Sequence, residues 1–209
     1  SYGNDEIVLG KTLEKKEKKY IISKLSSTDF LVREKIETSL KNLKIKKLFG
    51  LLLHDTKIFD NWSKEEDNYV KNLKNHDLIT YFGTSIYSNA EFDLSLNNDS
   101  VDIIQVPFSL FDQRAIRYNW FEKAKQKNKL LIVRSIYLQG LLLMDIDNVP
   151  FKLSAAKKYI NILDEFCVKN KLSRQELIIG YVKKRTTGAI KLFGCENIKQ
   201  AKENINIYN

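Results

Sequence analysis

Short apolar and β-branched runs alternate along the chain with stretches whose apolar positions recur every three or four residues. The runs are YIISKL (Tyr20–Leu25), LFGLLLHD (Leu48–Asp55), LITYFGTS (Leu78–Ser85), DIIQVP (Asp102–Pro107), LLIVRS (Leu130–Ser135) and AIKLFG (Ala189–Gly194). They are apolar without a polar alternation, as strands buried on both faces are, so a parallel sheet covered by helices is predicted. The stretches between them have helical length: DEIVLGKTLEKKEKK, LVREKIETSLKNLK, KEEDNYVKNLKN, AEFDLSLNN and QRAIRYNWFEKAKQKN. Two helices are predicted after the fifth run, FKLSAAKKYINILDEFCVKNK and SRQELIIGYVKKR. Ser173 caps the second, with Glu176 three residues on. A last helix is predicted over NIKQAKENINIY.

Strands alternating with helices define the α/β class, with two main architectures, the doubly wound sheet and the (β/α)8 barrel. No G-x-G-x-x-G follows any strand, which weakens the dinucleotide-binding doubly wound reading. With no internal repeat, no low-complexity linker and only two prolines, residues 1–209 are expected to form a single domain.

The strand ends carry the candidate chemistry. Lys24, His54, Ser85, Gln105, Arg134 with Ser135, and Gly194 with Cys195 each stand where an apolar run finishes. In a (β/α)8 barrel these ends converge on one face, which holds the active site. Polar residues commonly end strands, and a histidine there is often only a satisfied cap. Six such ends together, with a lysine and a histidine on adjacent strands, shift the balance toward chemistry.

Composition narrows the partners. Hydrophobic residues make up 43% of the 209 and charged residues 29%, as in a soluble globular chain. The net charge of +9 arises from pieces such as LEKKEKKY and FEKAKQKNK, where lysines mix with other polar residues as on solvated helix faces. No nucleic-acid motif accompanies the charge, so no nucleic-acid partner is expected. No apolar run approaches the roughly 20 residues of a membrane span, and SYGNDEIVLG has no signal-peptide character. The two cysteines, Cys167 and Cys195, form neither a disulfide framework nor metal-ligand spacing. A cytoplasmic protein without metal is expected.

Several segments, in order, resemble the aldo-keto reductase superfamily. SYGNDEIVLGKTL is similar to its tyrosine-bearing Y-G-x-x-E segment, and the lysine ending YIISK and the histidine ending LLLH follow in the family's order. YFGTSIYS resembles its G-x-S segment, DIIQVPFSLFDQR its I-Q-x-P-x-N-x-x-D segment, and VRSIYLQGLL its cofactor loop. FGCENIKQAKEN resembles the closing G-x-x-x-x-x-Q-x-x-x-N motif. The resemblance implies a (β/α)8 barrel that uses NADP(H) or NAD(H) to reduce an aldehyde or ketone to an alcohol. It implies Tyr2 as general acid, Lys24 as the charge that lowers the tyrosine's pKa, and His54 as the group that orients the substrate carbonyl. Ser85 and Gln105 would hold the nicotinamide carboxamide. Arg134 stands where many relatives carry an aromatic ring against the nicotinamide. The loop from Ser135 through Leu138 to Gly140 would run under the pyrophosphate. Glu203 and Asn204 match adenine contacts, whereas Gly194 and Gln200 stand where NADPH-preferring members often carry a lysine and an arginine. NADP(H) against NAD(H) stays open, with Lys199 or Lys202 as substitutes for that pair.

The family's barrel has eight strands and six are counted, so the first two strands, and the aspartate that pairs with the lysine, are expected to precede Ser1. Without them residues 1–209 are expected to be inactive. The alternative is an aldo-keto-reductase-like binding or scaffold protein without catalysis. A monomer or homodimer acting on a small carbonyl substrate is expected. Trp62 either lines a pocket or packs against a neighbouring loop, Trp120 is assigned to the core, and Asp112 with Arg114 to a local bond at a helix start.

Overall fold

The computed structural model describes residues 4–209. Six strands follow one another in chain order across one sheet, β1-β2-β3-β4-β5-β6. They are β1 (Ile22–Leu25), β2 (Leu48–Leu53), β3 (Ile79–Ser85), β4 (Ile103–Pro107), β5 (Leu130–Arg134) and β6 (Ile190–Lys191). Each falls inside an apolar run of the sequence, and the observed pairs β1–β2, β2–β3, β3–β4 and β5–β6 are parallel. A parallel neighbour requires a crossover, and helices supply it. They are α1 (Asp5–Thr12), α2 (Ser27–Phe30), α3 (Arg33–Leu43), α4 (Lys64–Asn75), α5 (Asn89–Asn97), α6 (Arg114–Arg117), α7 (Trp120–Gln126), α8 (Lys157–Asn170), α9 (Arg174–Arg185) and α10 (Ile198–Tyr208).

Helix starts are set by local chemistry. Capping boxes open α4 at Ser63 and Glu66, α5 at Ser88 and Glu91, and α9 at Ser173 and Glu176. Two stretches that read as single helices are broken. In DEIVLGKTLEKKEKK, Leu13 turns extended, and Glu17 accepts the Glu14 N–H at 2.7 Å to begin a separate short 3-10 turn. In QRAIRYNWFEKAKQKN, Asn119 adopts φ 57°, a left-handed conformation that asparagine tolerates better than most residues, and divides α6 from α7. FKLSAA likewise forms a 3-10 stretch before α8 begins.

The described residues up to Val106, with Glu122–Leu131, form one compact unit. Its core lies between β2–β3 and the helices, where Phe30 stacks on Phe82 at 5.0 Å and Trp62 lies 5.8 Å from Phe82. The Trp62 indole donates to Asp67 at 2.8 Å, so this ring packs among the helices. Glu6, the acidic position of the Y-G-x-x-E segment, accepts from Ser23 of β1 at 2.7 Å and Ser39 of α3 at 2.9 Å. One carboxylate therefore fastens α1 to both strand and helix. Pro107–Phe121 with Ile132–Asn209 form the second unit, with Trp120 fully buried. There Arg174 grips Asp164 with two N–H groups and donates a third to Met144 O at 2.6 Å, fixing the start of α9 to α8 and to the segment after β5. No helix among the described residues is long and apolar enough to cross a membrane.

The α1–α3 contact makes a testable demand. A Cβ on Gly10 would lie 2.0 Å from Asn42 O, a backbone atom with no room to yield. Gly180, inside α9, has nothing within 4 Å of its Cβ position. Gly10→Ala is expected to destabilise by about 1–3 kcal/mol through overpacking, although alanine is the better helix former. Gly180→Ala is expected to stabilise by about 0.5–1 kcal/mol. Urea unfolding midpoints of the two variants should move in opposite directions.

Candidate functional site

In the first unit the register decides which side chains meet. Lys24 pairs with Leu52, Leu52 with Gly83, and Gly83 with Ile103, while Ser85 pairs with Gln105. Side chains alternate between sheet faces, so Ser85 and Gln105 stand on the face of Lys24, one row nearer the strand ends. His54 follows Leu53, the partner of Thr84, and so extends into the Ser85–Gln105 row. On the opposite face Thr84 donates to Ser95 of α5 at 2.8 Å. One face thus belongs to the helices and the other to the polar strand ends.

The Lys24 ammonium donates to Gln105 Oε1, and Ser85 Oγ donates to the same oxygen at 3.2 Å. On the Lys24 row, Gly83 lies against β4: its Cβ would lie 2.2 Å from Ile103 O and 2.7 Å from Leu52 Cδ2, so no side chain fits at that position. Ser85 and Gln105 are buried, at 1% and 3% exposure. A carbonyl oxygen with two donors has both lone pairs in use. The Gln105 Nε2 makes no hydrogen bond among the described residues, so this amide presents a donor beside the Ser85 hydroxyl.

His54 is half-buried, and its backbone N–H donates to Leu25 O at 2.7 Å. The two histidines differ in kind. His76 ends α4 and its ring bonds Asn72 O at 2.9 Å, whereas the His54 ring makes no such bond among the described residues. Asp55 receives the Ser27 N–H at 3.3 Å and the Lys57 N–H at 3.2 Å, fixing the loop after β2. Burial alone would raise the Asp55 carboxyl, but the Ser27 hydroxyl, the Ser27 and Lys57 N–H groups and the Lys57 charge together outweigh it and hold it below its ordinary value. Tyr2 lies outside the described residues.

The second unit holds the other expected residues. Arg134 ends β5 and donates to Ser135 Oγ at 3.1 Å. The loop that follows is dense in left-handed backbone: Ser135 (φ 60°), Leu138 (49°), Gln139 (57°) and Gly140 (88°). Gly194 is exposed, and the Gln200 side chain accepts the Glu196 N–H at 2.8 Å at the start of α10. Glu203 pairs with Lys199 at 3.9 Å. Asn204 is only 4% exposed. Its Oδ1 accepts from the Tyr137 hydroxyl and, at 2.8 Å, from Gln175 Nε2, and its Nδ2 donates to Cys195 Sγ at 3.2 Å. Tyr137, Gln175 and Cys195 were not singled out for this role by the sequence pattern, though one tyrosine inside the loop SIYLQG is a signal of its own. Asp112 and Arg114 form the local bond expected, with Nε–Oδ1 at 2.8 Å and Nη2–Oδ2 at 2.6 Å. No group of three or more His, Cys, Asp or Glu among the described residues is placed to hold a metal.

A parallel α/β sheet with a lysine, a serine and a glutamine gathered at its strand ends has the organisation of a barrel-type enzyme site. The model of the aldo/keto reductase family matches residues 1–209, and the chain belongs to that family. A comparison with curated proteins gives no match. Among solved structures, the apo form of aldo-keto reductase AKR11C1 from Bacillus halodurans superposes with a TM-score of 0.78 at 20% identity, over 98% of this chain and 71% of that one. Glycerol dehydrogenase AKR11B4 from Gluconobacter oxydans gives 0.76 at 19% identity, over 98% and 72%. The aldo/keto reductase from Klebsiella pneumoniae, in complex with NADP and acetate, gives 0.74 at 16% identity, over 98% and 70%. These neighbours are (β/α)8 barrels, and at such identities the likeness is one of fold.

The buried tyrosine in the second unit titrates late. Burial chiefly pushes the Tyr137 hydroxyl up to about 12. A folded value above the ordinary value of about 10 means the stabilisation is complete below pH ~10 and is lost as pH rises through about 12. The stability advantage of the wild type over Tyr137→Phe is therefore expected to be level up to pH ~10 and to shrink above it. Paired urea titrations, with phenolate absorbance followed in both proteins, check this.

Proposed function

We propose that the full-length protein is a NAD(P)H-dependent reductase that converts a small aldehyde or ketone to its alcohol, in a single barrel-type domain that works as a cytoplasmic monomer or homodimer. Family membership supports the reaction class. The observation that carries the reading is the Lys24–Gln105–Ser85 cluster, with His54 on the same row of strand ends.

The chain's residues suit a nicotinamide dinucleotide at two of its parts. A carboxamide needs a donor for its oxygen and an acceptor for its nitrogen; Gln105 Nε2 and the Ser85 hydroxyl offer them. The loop Ser135–Gly140 has four residues at positive φ, a backbone shape that turns N–H groups into an anion-holding concavity. A Cβ on Gly140 would meet nothing within 4 Å, so a pyrophosphate can approach the backbone there. The adenosine end is less well supplied. Gly194 and Gln200 bring no cation, and Lys199 and Lys202 are left to offset a 2′-phosphate. The NADP carried by the Klebsiella pneumoniae relative favours NADP(H) as the first cofactor to test.

Reduced nicotinamide, when bound, supplies the hydride. The protein supplies the proton and the geometry. Tyr2, assigned by resemblance, donates its hydroxyl proton to the carbonyl oxygen. A tyrosine near pKa 10 is a weak donor at neutral pH, and a neighbouring ammonium favours its phenolate, so Lys24 brings it toward working range. Gln105 holds that ammonium in place. His54 offers a ring nitrogen to the substrate oxygen and sets the angle of attack. A second reading, binding without catalysis, draws on Asn204, whose Oδ1 already takes two donors inside the protein, and on Arg134 in the aromatic position.

Tyr2→Phe is expected to lower kcat by about 10²–10⁴-fold, the usual worth of a positioned acid, while NADPH binding stays near the wild-type level. Lys24→Met should bring a comparable loss and move the pH profile upward. Full activity in Tyr2→Phe would sink the assignment. Quenching of tryptophan fluorescence by NADPH and NADH separates the two readings, because absence of micromolar binding favours the non-catalytic one.

A further inference from the structure

We infer that Asn204 is a positioning residue for the proposed cofactor site, and that its amide pins the Ser135–Gly140 loop through Tyr137 instead of touching the adenine. The inference rests on the cofactor reading above and deepens it. An asparagine that reads a base must turn an amide edge outward. Here the side chain is buried, and both ends of the amide are engaged. Two donors, Tyr137 and Gln175, fill the lone pairs of Oδ1, and Nδ2 faces the Cys195 sulfur.

The four residues so joined come from separate segments. Asn204 lies on α10, Gln175 on α9, Cys195 between β6 and α10, and Tyr137 in the loop after β5. That loop needs an anchor. Ser135, Leu138 and Gln139 are non-glycine residues in left-handed backbone, a state that persists only where the surroundings over-determine it. The loop's own bonds, Leu138 N to Ser135 O at 2.9 Å and Leu142 N to Tyr137 O at 3.2 Å, are local. The Tyr137 side chain, 8% exposed, is what ties the middle of the loop to α10. Asparagine suits the junction because it has one oxygen that takes two donors and one nitrogen that gives to a sulfur. Aspartate would put a charge there, and alanine would leave a buried tyrosine hydroxyl unpaired.

Three probes separate positioning from base reading: NADPH, its analogue with hypoxanthine in place of adenine, and reduced nicotinamide mononucleotide, which has no adenosine half. Asn204→Ala and Tyr137→Phe are each expected to weaken all three by a similar factor of about tenfold, the factor that one lost buried hydrogen bond brings. Both variants should also speed amide exchange at residues 136–140 in protein without nucleotide. Tyr137→Phe removes a single hydroxyl and keeps the ring, so it reports even where the alanine variant folds poorly. A loss in Asn204→Ala confined to NADPH, with Tyr137→Phe silent, would overturn the inference. So would unchanged exchange in both variants. The exchange comparison uses no cofactor, so wild-type protein that binds none of the probes would count against the proposed function and leave the loop anchor to be decided by exchange.

Discussion

A parallel strand can be followed by a parallel neighbour only if the chain first travels back along the sheet, and every strand therefore finishes on the same rim. Most of what is chemically distinctive here follows from that constraint. Lys24 and Gln105 are 81 residues apart in sequence and meet because β1 to β4 are laid down in order with matched register. The period of two then sorts the rim. Phe82 and Thr84 turn to the helices, while Gly83 and Ser85 turn to the face of the lysine. Shifting β3 by one residue would put Tyr81 or Gly83 in the place of Phe82 and Thr84 or Ile86 in that of Ser85, and so dismantle the core and the site together.

The alternation of apolar runs and amphipathic stretches made the strand order and the helix-covered parallel sheet legible, because burial on both faces leaves a continuous apolar signature. Capping chemistry was legible too, since Ser173 with Glu176 is a purely local arrangement. The breaks at Leu13 and Asn119 were not, because periodicity continues across a change in backbone direction. Within the candidate site, the polar identity of Lys24, His54, Ser85 and Gln105 stood out against apolar neighbours. The partner of each did not, since Lys24 and Gln105 are far apart in sequence and meet only through the register of four strands. The Asn204 cluster was hidden for a similar reason: Tyr137 lies 67 residues away, and nothing local announces where its hydroxyl goes.

Two carboxamides organise the two units in the same manner. Gln105 in one and Asn204 in the other each use a single oxygen to collect two donors from remote segments. Their nitrogens differ. That of Asn204 gives one hydrogen to a sulfur, so both ends of the group are held in the brace. That of Gln105 makes no hydrogen bond among the described residues. Buried amides of this type cost desolvation unless satisfied, which makes a complete one a strong fastening and an incomplete one a place where a ligand amide is welcome.

Gly83 also bears on how such a site can change over evolutionary time. With Ile103 O 2.2 Å from the place a Cβ would occupy, the floor of the sheet at Gly83 admits no side chain of any size. Drift in this part of the sheet is blocked by backbone, which cannot be repacked as a side chain can. Novelty in what the protein accepts must then enter from the loops above the rim, where length and composition vary at little cost to the fold. The floor would stay an heirloom while the walls diversify.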